Sequence, residues 1–190
     1  KKYIDRYIYG LNNISNINNL DRKLINTIID IDKNTPIQNI RNVNSNNLYI
    51  KRDDLFPFSF GGNKARKGIL FFKEIDRIDY DCVVTYGSSS SNHCRVIANL
   101  AAGKNMPCYI VSPFDESRQD TFNSRLTHLL GAEYTACQVD EVHDTIEKKL
   151  TELKGKGCKP YFIPGGGHGI IGTQAYIDCY REISNQASSL

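Results

Sequence analysis

The sequence predicts an α/β fold built on an open parallel sheet with helices on both faces. Two observations carry this prediction. From about residue 80 onward, short apolar segments alternate with longer segments of helical periodicity, and turn residues such as Gly, Pro and Ser separate them. Strands that alternate with helices of this length are joined by right-handed crossovers and therefore run parallel.

The segment before the first of these strands is less regular. Helical periodicity at residues 20–31 ends at the breaker "NTP" of residues 34–36. The segment "NNLYIKRDD" predicts a short strand at residues 48–52, followed by a loop at residues 56–62. "KARKGILFFKEID" then predicts a helix that begins at or just before Lys64.

Four strands and three further helices are expected after this helix. The predicted strands are residues 82–87, 107–113, 132–139 and 160–167. The predicted helices are residues 91–105, 120–131 and 141–157, the first of which opens on serines and closes near a glycine. We expect residues 67–159 to form one compact α/β lobe.

Bulk properties argue against several classes of protein. Of the 190 residues 40% are hydrophobic and 24% are charged, and no apolar run approaches the roughly 20 residues that span a bilayer. The opening "KKYIDRYIYGLNN" lacks the apolar core of a signal peptide. A net charge of +3, with basic and acidic residues interspersed, does not favour a nucleic-acid partner. We therefore expect neither membrane association nor nucleic-acid binding.

The cysteines are widely spaced. No C-x-x-C pair and no histidine at metal-ligand spacing accompanies them, so we expect no metal site and no disulfide framework. They are predicted to be small core residues of a protein in a reducing compartment, and hence cytoplasmic. Their positions are 82, 94, 108, 137, 158 and 179.

The loop after the first strand of the sheet has an unusual composition. "YGSSSSNHCR", residues 86–95, brings four hydroxyls, an amide and an imidazole to a helix start. Free N–H groups and the helix dipole favour an anion at such a point. A simple helix cap is the alternative, but capping explains one or two of these residues and not a run of five.

The loop after the fourth strand is rich in glycine. Gly167, Gly169 and Gly172 satisfy G-x-G-x-x-G between a strand and a helix, the context of a dinucleotide fingerprint. The acidic residue expected about 20 positions later falls beyond Leu190, and Pro164 precedes the glycines. A glycine turn that lets the backbone approach some other ligand is the alternative.

Lys64 lies in "GGNKARK", residues 61–67. It is not a P-loop lysine, because Ala65 follows it where Ser or Thr is required. A surface lysine is the simple alternative. However, Lys64, Arg66 and Lys67 put three cations into a first helical turn, where the helix dipole disfavours them. A sequence that tolerates this electrostatic cost suggests that the amine of Lys64 takes part in chemistry. Reactions of a lysine amine involve carbonyl substrates or pyridoxal phosphate.

Five motifs together resemble a known family. In their order and spacing they are similar to the pyridoxal-phosphate enzymes of the tryptophan synthase β type (fold type II). The nearest branch contains D-cysteine desulfhydrase and 1-aminocyclopropane-1-carboxylate (ACC) deaminase. The resemblance covers the chain from about Thr35 to its end. The motifs are "NTPIQNI" (34–40), "LYIKRDDL" (48–55), "GGNKARK" (61–67), "SNHCR" (91–95) and "IPGGGHGIIGTQAY" (163–176).

The resemblance implies roles for individual residues. Lys64 would hold the cofactor as a Schiff base and then move the substrate proton, and Ser91 would assist acid–base steps. Asn92 would hydrogen-bond the phenolic oxygen of the cofactor. The remaining predicted cofactor contacts are Asn63, Gly166 and Gly167, and the predicted substrate contacts are Ser91, Asn92 and His93.

The resemblance also implies a domain organisation. Residues 67–159 would be the complete small lobe, whereas residues 1–66 and 160–190 would be the beginning of an incomplete large lobe. The sequence lacks an initial methionine and stops in a helix-like segment, so we expect a piece of a longer protein. The large lobe's phosphate loop would lie beyond Leu190.

The function expected from this resemblance is a lyase or deaminase that acts on a small amino acid. A D-cysteine desulfhydrase-like enzyme, which releases sulfide, ammonia and pyruvate, is favoured over the deaminase by His93 in "SNHCR". Two alternatives remain open: a non-catalytic binding module of the same fold, and a nucleotide-binding domain that uses Gly167–Gly172. A small amino acid is the expected partner, with a homodimer as an open question.

Overall fold

A computed structural model describes residues 34–43, 46–114 and 121–188. Thr35–Leu190 form one compact unit. The helix predicted at residues 20–31 lies outside the described residues. Within the described part of the chain, no helix has the length and apolar character that crossing a bilayer requires.

The centre of the unit is a four-stranded parallel sheet. Its strands lie in the order β5-β4-β3-β6, and every neighbouring pair is parallel. The open parallel sheet predicted from the alternating pattern is therefore confirmed. The strands are β3 (Cys82–Tyr86), β4 (Cys108–Pro113), β5 (Glu133–Cys137) and β6 (Pro160–Ile163).

Helices cover both faces of this sheet. Side chains alternate along a strand, so Thr85 and Val84 of β3 point to opposite faces. Thr85 hydrogen-bonds to His93 of helix α2 (Asn92–Gly103), whereas Val84 packs with Leu153 of helix α4 (Val142–Gly155). Helix α3 (Phe122–Leu129) packs against α2.

An antiparallel hairpin precedes the sheet. Strand β1 (Ile37–Val43) pairs with β2 (Asn46–Lys51), with an irregularity between Asn39 and Arg41. The sequence predicted a strand at residues 48–52 but not its partner, because the Asn-rich segment of β1 lacks a clear apolar alternation. Ile40, Leu48 and Ile50 of the hairpin are exposed.

Two helices lie side by side outside the sheet. Helix α1 (Asn63–Ile78) carries Lys64 and packs against the last helix, α5 (Ile170–Ala187). Strand β6 joins the sheet beside β3, and the chain then returns to α1 through a 3-10 turn, Gly165–Gly167. The division into lobes at residues 67 and 159 stays a prediction.

A buried ion network joins α1 to α5. The guanidinium of Arg66 donates to Asp53 through Nη2 (2.6 Å) and to Glu182 through Nη1 (2.8 Å). Glu182 also accepts from Lys51 at 2.6 Å, so two cations meet two carboxylates. Arg66 is one of the three cations that the dipole of α1 disfavours, and its two acidic partners, 13 and 116 residues away in sequence, compensate its charge.

All six cysteines lie in the described residues, and each is a free thiol. Four of them are buried: Cys82, Cys94, Cys108 and Cys179. Cys137 and Cys158 are half-buried.

Candidate active site

The candidate site lies at the carboxyl ends of β3 and β6. The serine-rich loop follows β3 and the glycine turn follows β6, and these two strands are neighbours. Helices α1 and α2 both contact the glycine turn. The carboxyl edge of a parallel sheet is where ligands of open α/β folds bind, so the fold brings the three predicted motifs to one place.

The amine of Lys64 reaches the glycine turn. Its Nζ donates to the carbonyl oxygen of Gly166 at 3.2 Å, and Nζ of Lys67 donates to the same oxygen at 3.3 Å. Both side chains are half-buried. Burial lowers the pKa of Lys67, and the positive charge of Lys64 lowers it further. Two amines beside one carbonyl make this corner of the site attractive to an anion.

The backbone before Lys64 is held in an uncommon conformation. Four consecutive residues have positive φ: Ser59 (48°), Phe60 (64°), Gly61 (64°) and Gly62 (85°). A Cβ atom on Gly61 would lie 2.3 Å from the carbonyl oxygen of Asp53, which no side chain permits. The glycine pair therefore lets the chain pass against Asp53 and enter α1 with Lys64 in its first turn.

The glycine turn is equally close-packed. A Cβ atom on Gly172 would lie 1.8 Å from the carbonyl oxygen of Gly167, and one on Gly165 would lie 2.6 Å from Cζ of Tyr86. Gly166 and Gly167 have positive φ, 69° and 64°. The tight packing of the turn therefore explains why positions 167 and 172 of the G-x-G-x-x-G pattern are glycine.

The serine loop is tied to the start of α3. The hydroxyl of Thr121 donates to the carbonyl oxygen of Ser89, and Nδ2 of Asn123 donates to that of Ser90, each at 2.6 Å. Ser91 is the N-cap of α2, and its Oγ accepts from the amide of Cys94 at 3.2 Å. Serine at this position thus has a capping role beside its predicted catalytic one.

Asn92 is the first residue of α2, and its side-chain amide is oriented by two donors. Its Oδ1 accepts from Nη1 of Arg95 at 2.7 Å and from Nδ2 of Asn123 at 3.1 Å. The opposite placement of O and N would set an amide N–H₂ against two donors, so the network assigns this orientation. Asn92 is exposed and keeps its Nδ2 group as a donor for a ligand.

His93 is 3% exposed and faces the sheet. Its Nε2 lies 2.9 Å from Oγ1 of Thr85, and the single hydroxyl proton of Thr85 goes to the carbonyl oxygen of Ile163 at 2.8 Å. Nε2 of His93 must therefore carry a proton and donate it to Thr85. The other ring nitrogen, Nδ1, is buried without a hydrogen-bond partner among the described residues.

The imidazole of His93 is neutral near pH 7. Burial lowers its pKa to about 4. The charges of Lys64, Lys67 and His168 act in the same direction. A neutral buried ring offers no positive charge to a carboxylate, so the predicted contact between His93 and the substrate stays a prediction. Its observed contact joins α2 to the ends of β3 and β6.

The chain matches the family described as "Pyridoxal-phosphate dependent enzyme" over residues 28–189. The chain belongs to this family. Pyridoxal phosphate is the cofactor that gives the family its description.

Among proteins of this pyridoxal-phosphate dependent family, two bacterial D-cysteine desulfhydrases are similar to the chain. The enzyme of Serratia proteamaculans is 33% identical over 148 residues, which is 74% of this chain and 44% of the relative. The enzyme of Yersinia enterocolitica is 33% identical over 149 residues, with the same two shares. The chain therefore spans about 44% of the length of these relatives.

Two solved structures are also similar. A structure described as an ACC deaminase homologue has a TM-score of 0.73 at 33% identity, covering 82% of this chain and 49% of that one. A hydrogen sulfide-producing enzyme from Fusobacterium nucleatum has a TM-score of 0.52 at 25% identity, covering 71% and 44%. The branch that the motifs indicated, with D-cysteine desulfhydrase and ACC deaminase, is confirmed.

The residues at the site fit the cofactor of the pyridoxal-phosphate dependent family. A Cβ atom on Gly166 would lie 3.5 Å from Nζ of Lys64 and 3.1 Å from Nε2 of His168, so the glycine keeps space open beside the amine. The free donor of Asn92 suits a ring oxygen, and the N-terminus of α2 suits a negative charge. Asn63 begins α1 and is exposed.

Sequence reasoning missed two residues that organise the site. Arg95 donates from Nε to Oγ of Ser59 (3.0 Å) and from Nη2 to the carbonyl oxygen of Ser59 (3.1 Å), so it joins the loop before α1 to the start of α2. Asn123 links α3 to the serine loop. No pattern in the sequence around Asn123 indicates its role. Arg95 could have been found, because it is the cation that ends the polar motif "SNHCR".

Proposed function

We propose that this chain is the N-terminal portion of a pyridoxal-phosphate dependent lyase of the D-cysteine desulfhydrase type. The contact between Nζ of Lys64 and the carbonyl oxygen of Gly166, 3.2 Å long, carries the proposal, because it sets a primary amine at a turn that is free of side chains. The 33% identity to D-cysteine desulfhydrases supports the substrate class. Because the chain spans 44% of those enzymes, the activity of the whole protein is part of the proposal.

Lys64 is the nucleophile of the proposed reaction. Its amine would hold the cofactor covalently and would take the proton from the α-carbon of the substrate. Pyridoxal phosphate, when bound, supplies the electron sink for the resulting negative charge. The hydrogen bond to Gly166 keeps the amine at the turn, and Lys67 on the next helical turn adds positive charge there.

The start of α2 binds the substrate carboxylate in this proposal. The amides of Asn92 and His93 precede the first intrahelical bonds, and the helix dipole adds to their attraction for an anion. The Nδ2 group of Asn92 donates to the ring oxygen of the cofactor, and the hydroxyl of Ser91 assists proton transfer. With D-cysteine and water as reactants, the products are sulfide, ammonia and pyruvate.

The proposal extends to organisation and location. Residues 67–159 form the small lobe, and residues 1–66 and 160–190 contribute to the large lobe. Six free thiols are consistent with a reducing compartment, so we place the protein in the cytoplasm. A homodimer is the proposed assembly, and sedimentation of the purified protein tests it.

Absorbance of the purified chain tests the cofactor assignment. Addition of pyridoxal phosphate is expected to give a visible band that survives gel filtration. Lys64→Arg keeps the charge but removes the nucleophilic amine, so this variant should lose the band. Lys148→Ala, a change at an exposed position of α4, is the matched control and should retain it.

Sulfide release from D-cysteine, measured on the same samples, tests the substrate class. A chain that folds but stays colourless would contradict the enzyme proposal for this chain by itself, though not for a longer protein that contains it, and would favour the non-catalytic binding module. A chain that binds the cofactor but releases sulfide from no cysteine isomer would retain the cofactor assignment and overturn the desulfhydrase assignment.

A further inference from the structure

A second cluster of reactive side chains lies at the opposite edge of the sheet. Asp81, Cys82 and Cys158 each place one ligand atom within 4.8 Å of the other two. Cys82 is the first residue of β3 and pairs with Pro160 of β6, so the cluster is at the amino ends of the strands whose carboxyl ends form the candidate active site. It is therefore separate from Lys64 and the serine loop.

The backbone holds the cluster together. The amide of Asp81 donates to the carbonyl oxygen of Lys159 at 3.2 Å. The amide of Lys159 in turn donates to Oδ1 of Asp81 at 2.8 Å. This reciprocal pair fixes the segment before β3 against the segment before β6, and it orients the Asp81 carboxylate. A ligating carboxylate that is itself hydrogen-bonded in this way is typical of metal sites.

The three donors are of the kinds that zinc prefers. Zinc binds thiolate sulfur at about 2.3 Å and carboxylate oxygen at about 2.0–2.2 Å, so the ligand atoms of a tetrahedral site lie roughly 3.3–3.8 Å apart. Atoms within 4.8 Å of one another need a contraction of about 1 Å to reach that spacing. Three protein ligands leave a fourth position for water.

The three residues of the cluster differ in how exposed they are. Cys82 is buried, Cys158 is half-buried and Asp81 is exposed, so a cation can enter from the side of the carboxylate. The Cys82 thiol is buried beside the Asp81 carboxylate, whose negative charge repels a thiolate. A bound dication offsets the repulsion by Asp81 and favours the thiolate.

We propose that Asp81, Cys82 and Cys158 form a binding site for a thiophilic divalent cation of the zinc class. The ligands come from two segments of the chain, and Cys82 and Cys158 are 76 positions apart. The spacing of the cysteines in the sequence therefore does not indicate the site. The bound cation cross-links the start of β3 to the turn between α4 and β6. Because binding requires the folded arrangement, its free energy stabilises the fold.

Cadmium binding to the full chain, with no cofactor added, tests this proposal. One Cd²⁺ per chain is expected, with a thiolate-to-metal charge-transfer band in the ultraviolet and a raised thermal midpoint, since a ligand of the native state alone stabilises it. A large excess of Zn²⁺ should compete with the Cd²⁺ and weaken the band. Equilibrium dialysis with metal analysis gives the stoichiometry.

Three variants separate a metal site from the simple packing of two cysteines. Cys158→Ser and Asp81→Asn lie at the more accessible positions and each removes a ligand, so affinity should fall by about 100-fold or more, beyond the 10–100-fold typical of outer contacts. Cys137→Ser, at a half-buried cysteine of β5, should bind as the wild type does. Wild-type chains that bind no Cd²⁺, or a Cys158→Ser variant with unchanged affinity, would overturn the proposal.

Discussion

Nδ2 of Asn123 on α3 donates to Oδ1 of Asn92 on α2 across 3.1 Å. Nη1 of Arg95 contacts both side chains, at 2.7 Å to Oδ1 of each. Asn123 is 9% exposed and also donates to the carbonyl oxygen of Ser90, so its own amide is fully committed. The outward direction of the Asn92 N–H₂ group is therefore determined by Arg95 on the same helix together with Asn123 on the next helix.

Asn123→Asp tests this relationship. The substitution keeps the shape of the side chain but replaces the N–H₂ donor by an acceptor, so Oδ1 of Asn92 loses one of its two donors. We expect cofactor affinity to fall about tenfold, the loss of roughly one hydrogen bond to a positioned group, and the visible band of the bound cofactor to shift. Absorbance titration with pyridoxal phosphate measures both quantities.

Asn99→Asp on α2 is the control for this variant and should behave as the wild type does. The test rests on the proposed function, but the two can fail separately. A colourless wild type contradicts the cofactor assignment, whereas a coloured Asn123→Asp variant with unchanged affinity and band position contradicts only the positioning role.

The ion network around Arg66 makes a prediction about stability. Arg66→Met leaves Asp53 and Glu182 without their shared partner in a buried setting, and breaking a buried pair in this way costs about 3–5 kcal/mol. Arg77→Met removes a pair with Glu74 in which the arginine is 69% exposed, and such pairs contribute about 0–1 kcal/mol. Urea unfolding gives the free energy of unfolding for both variants. If both variants lost the same free energy of unfolding, the Arg66 network would stabilise the fold no more than an exposed ion pair does.

His93 predicts a dependence of stability on pH. Its pKa is about 4 in the folded chain, whereas the ordinary value for histidine is 6.5. Between these two pH values, histidine in the unfolded chain binds a proton and His93 in the folded chain does not. The free energy of unfolding is therefore not reduced by His93 above pH 6.5, and it decreases as pH falls from 6.5 toward 4. The loss between pH 7 and pH 5 is about 2 kcal/mol.

His93→Gln removes this titration and retains a donor for Thr85. The free energy of unfolding of this variant, measured in urea at both pH values, should fall by about 2 kcal/mol less than that of the wild type. If the two proteins lose the same amount, His93 does not titrate in the folded chain as its burial requires.

Gly172 provides a test of the glycine turn. Gly172→Ala would put a Cβ atom 1.8 Å from the carbonyl oxygen of Gly167, so the turn must move. We expect a loss of about 2 kcal/mol or more in the free energy of unfolding and weaker cofactor binding at the displaced turn. Gly155→Ala, near the end of α4, meets nothing within 4 Å and should be neutral or stabilising by up to about 1 kcal/mol. Thermal unfolding compares the two, and a stable Gly172→Ala variant would contradict the close contact.

The parallel sheet could be predicted because its signals are local. Strands β3, β4 and β6 are short, mainly apolar runs between turn residues, and the helices between the strands have an amphipathic period. The predicted strand at residues 160–167 was too long, since Pro164 and the glycines after it form a turn, and the one at residues 132–139 was too long because a 3-10 turn begins at Val139. The conflict between the helix dipole and a lysine after a glycine pair drew attention to Lys64, whereas the family could be predicted from the order and spacing of five motifs.

The remaining features depend on residues that are distant in sequence. Glu182 reaches Arg66 across 116 positions, and Asn123 reaches Asn92 across 31. Neither partner stands out in its own segment, because glutamate on a helix and asparagine in a first turn are ordinary. The tautomer of His93 likewise depends on Thr85 and on a carbonyl of β6, which only the folded sheet brings together.

Arg95 limits how the site can adapt. One guanidinium bonds to Ser59 in the loop that leads into Lys64 and to Asn92 at the start of α2. The separation between these two loops is thus set by the width of a planar, rigid group. Under the proposed function, room for a larger amino acid would have to come from walls of the site that Arg95 does not touch.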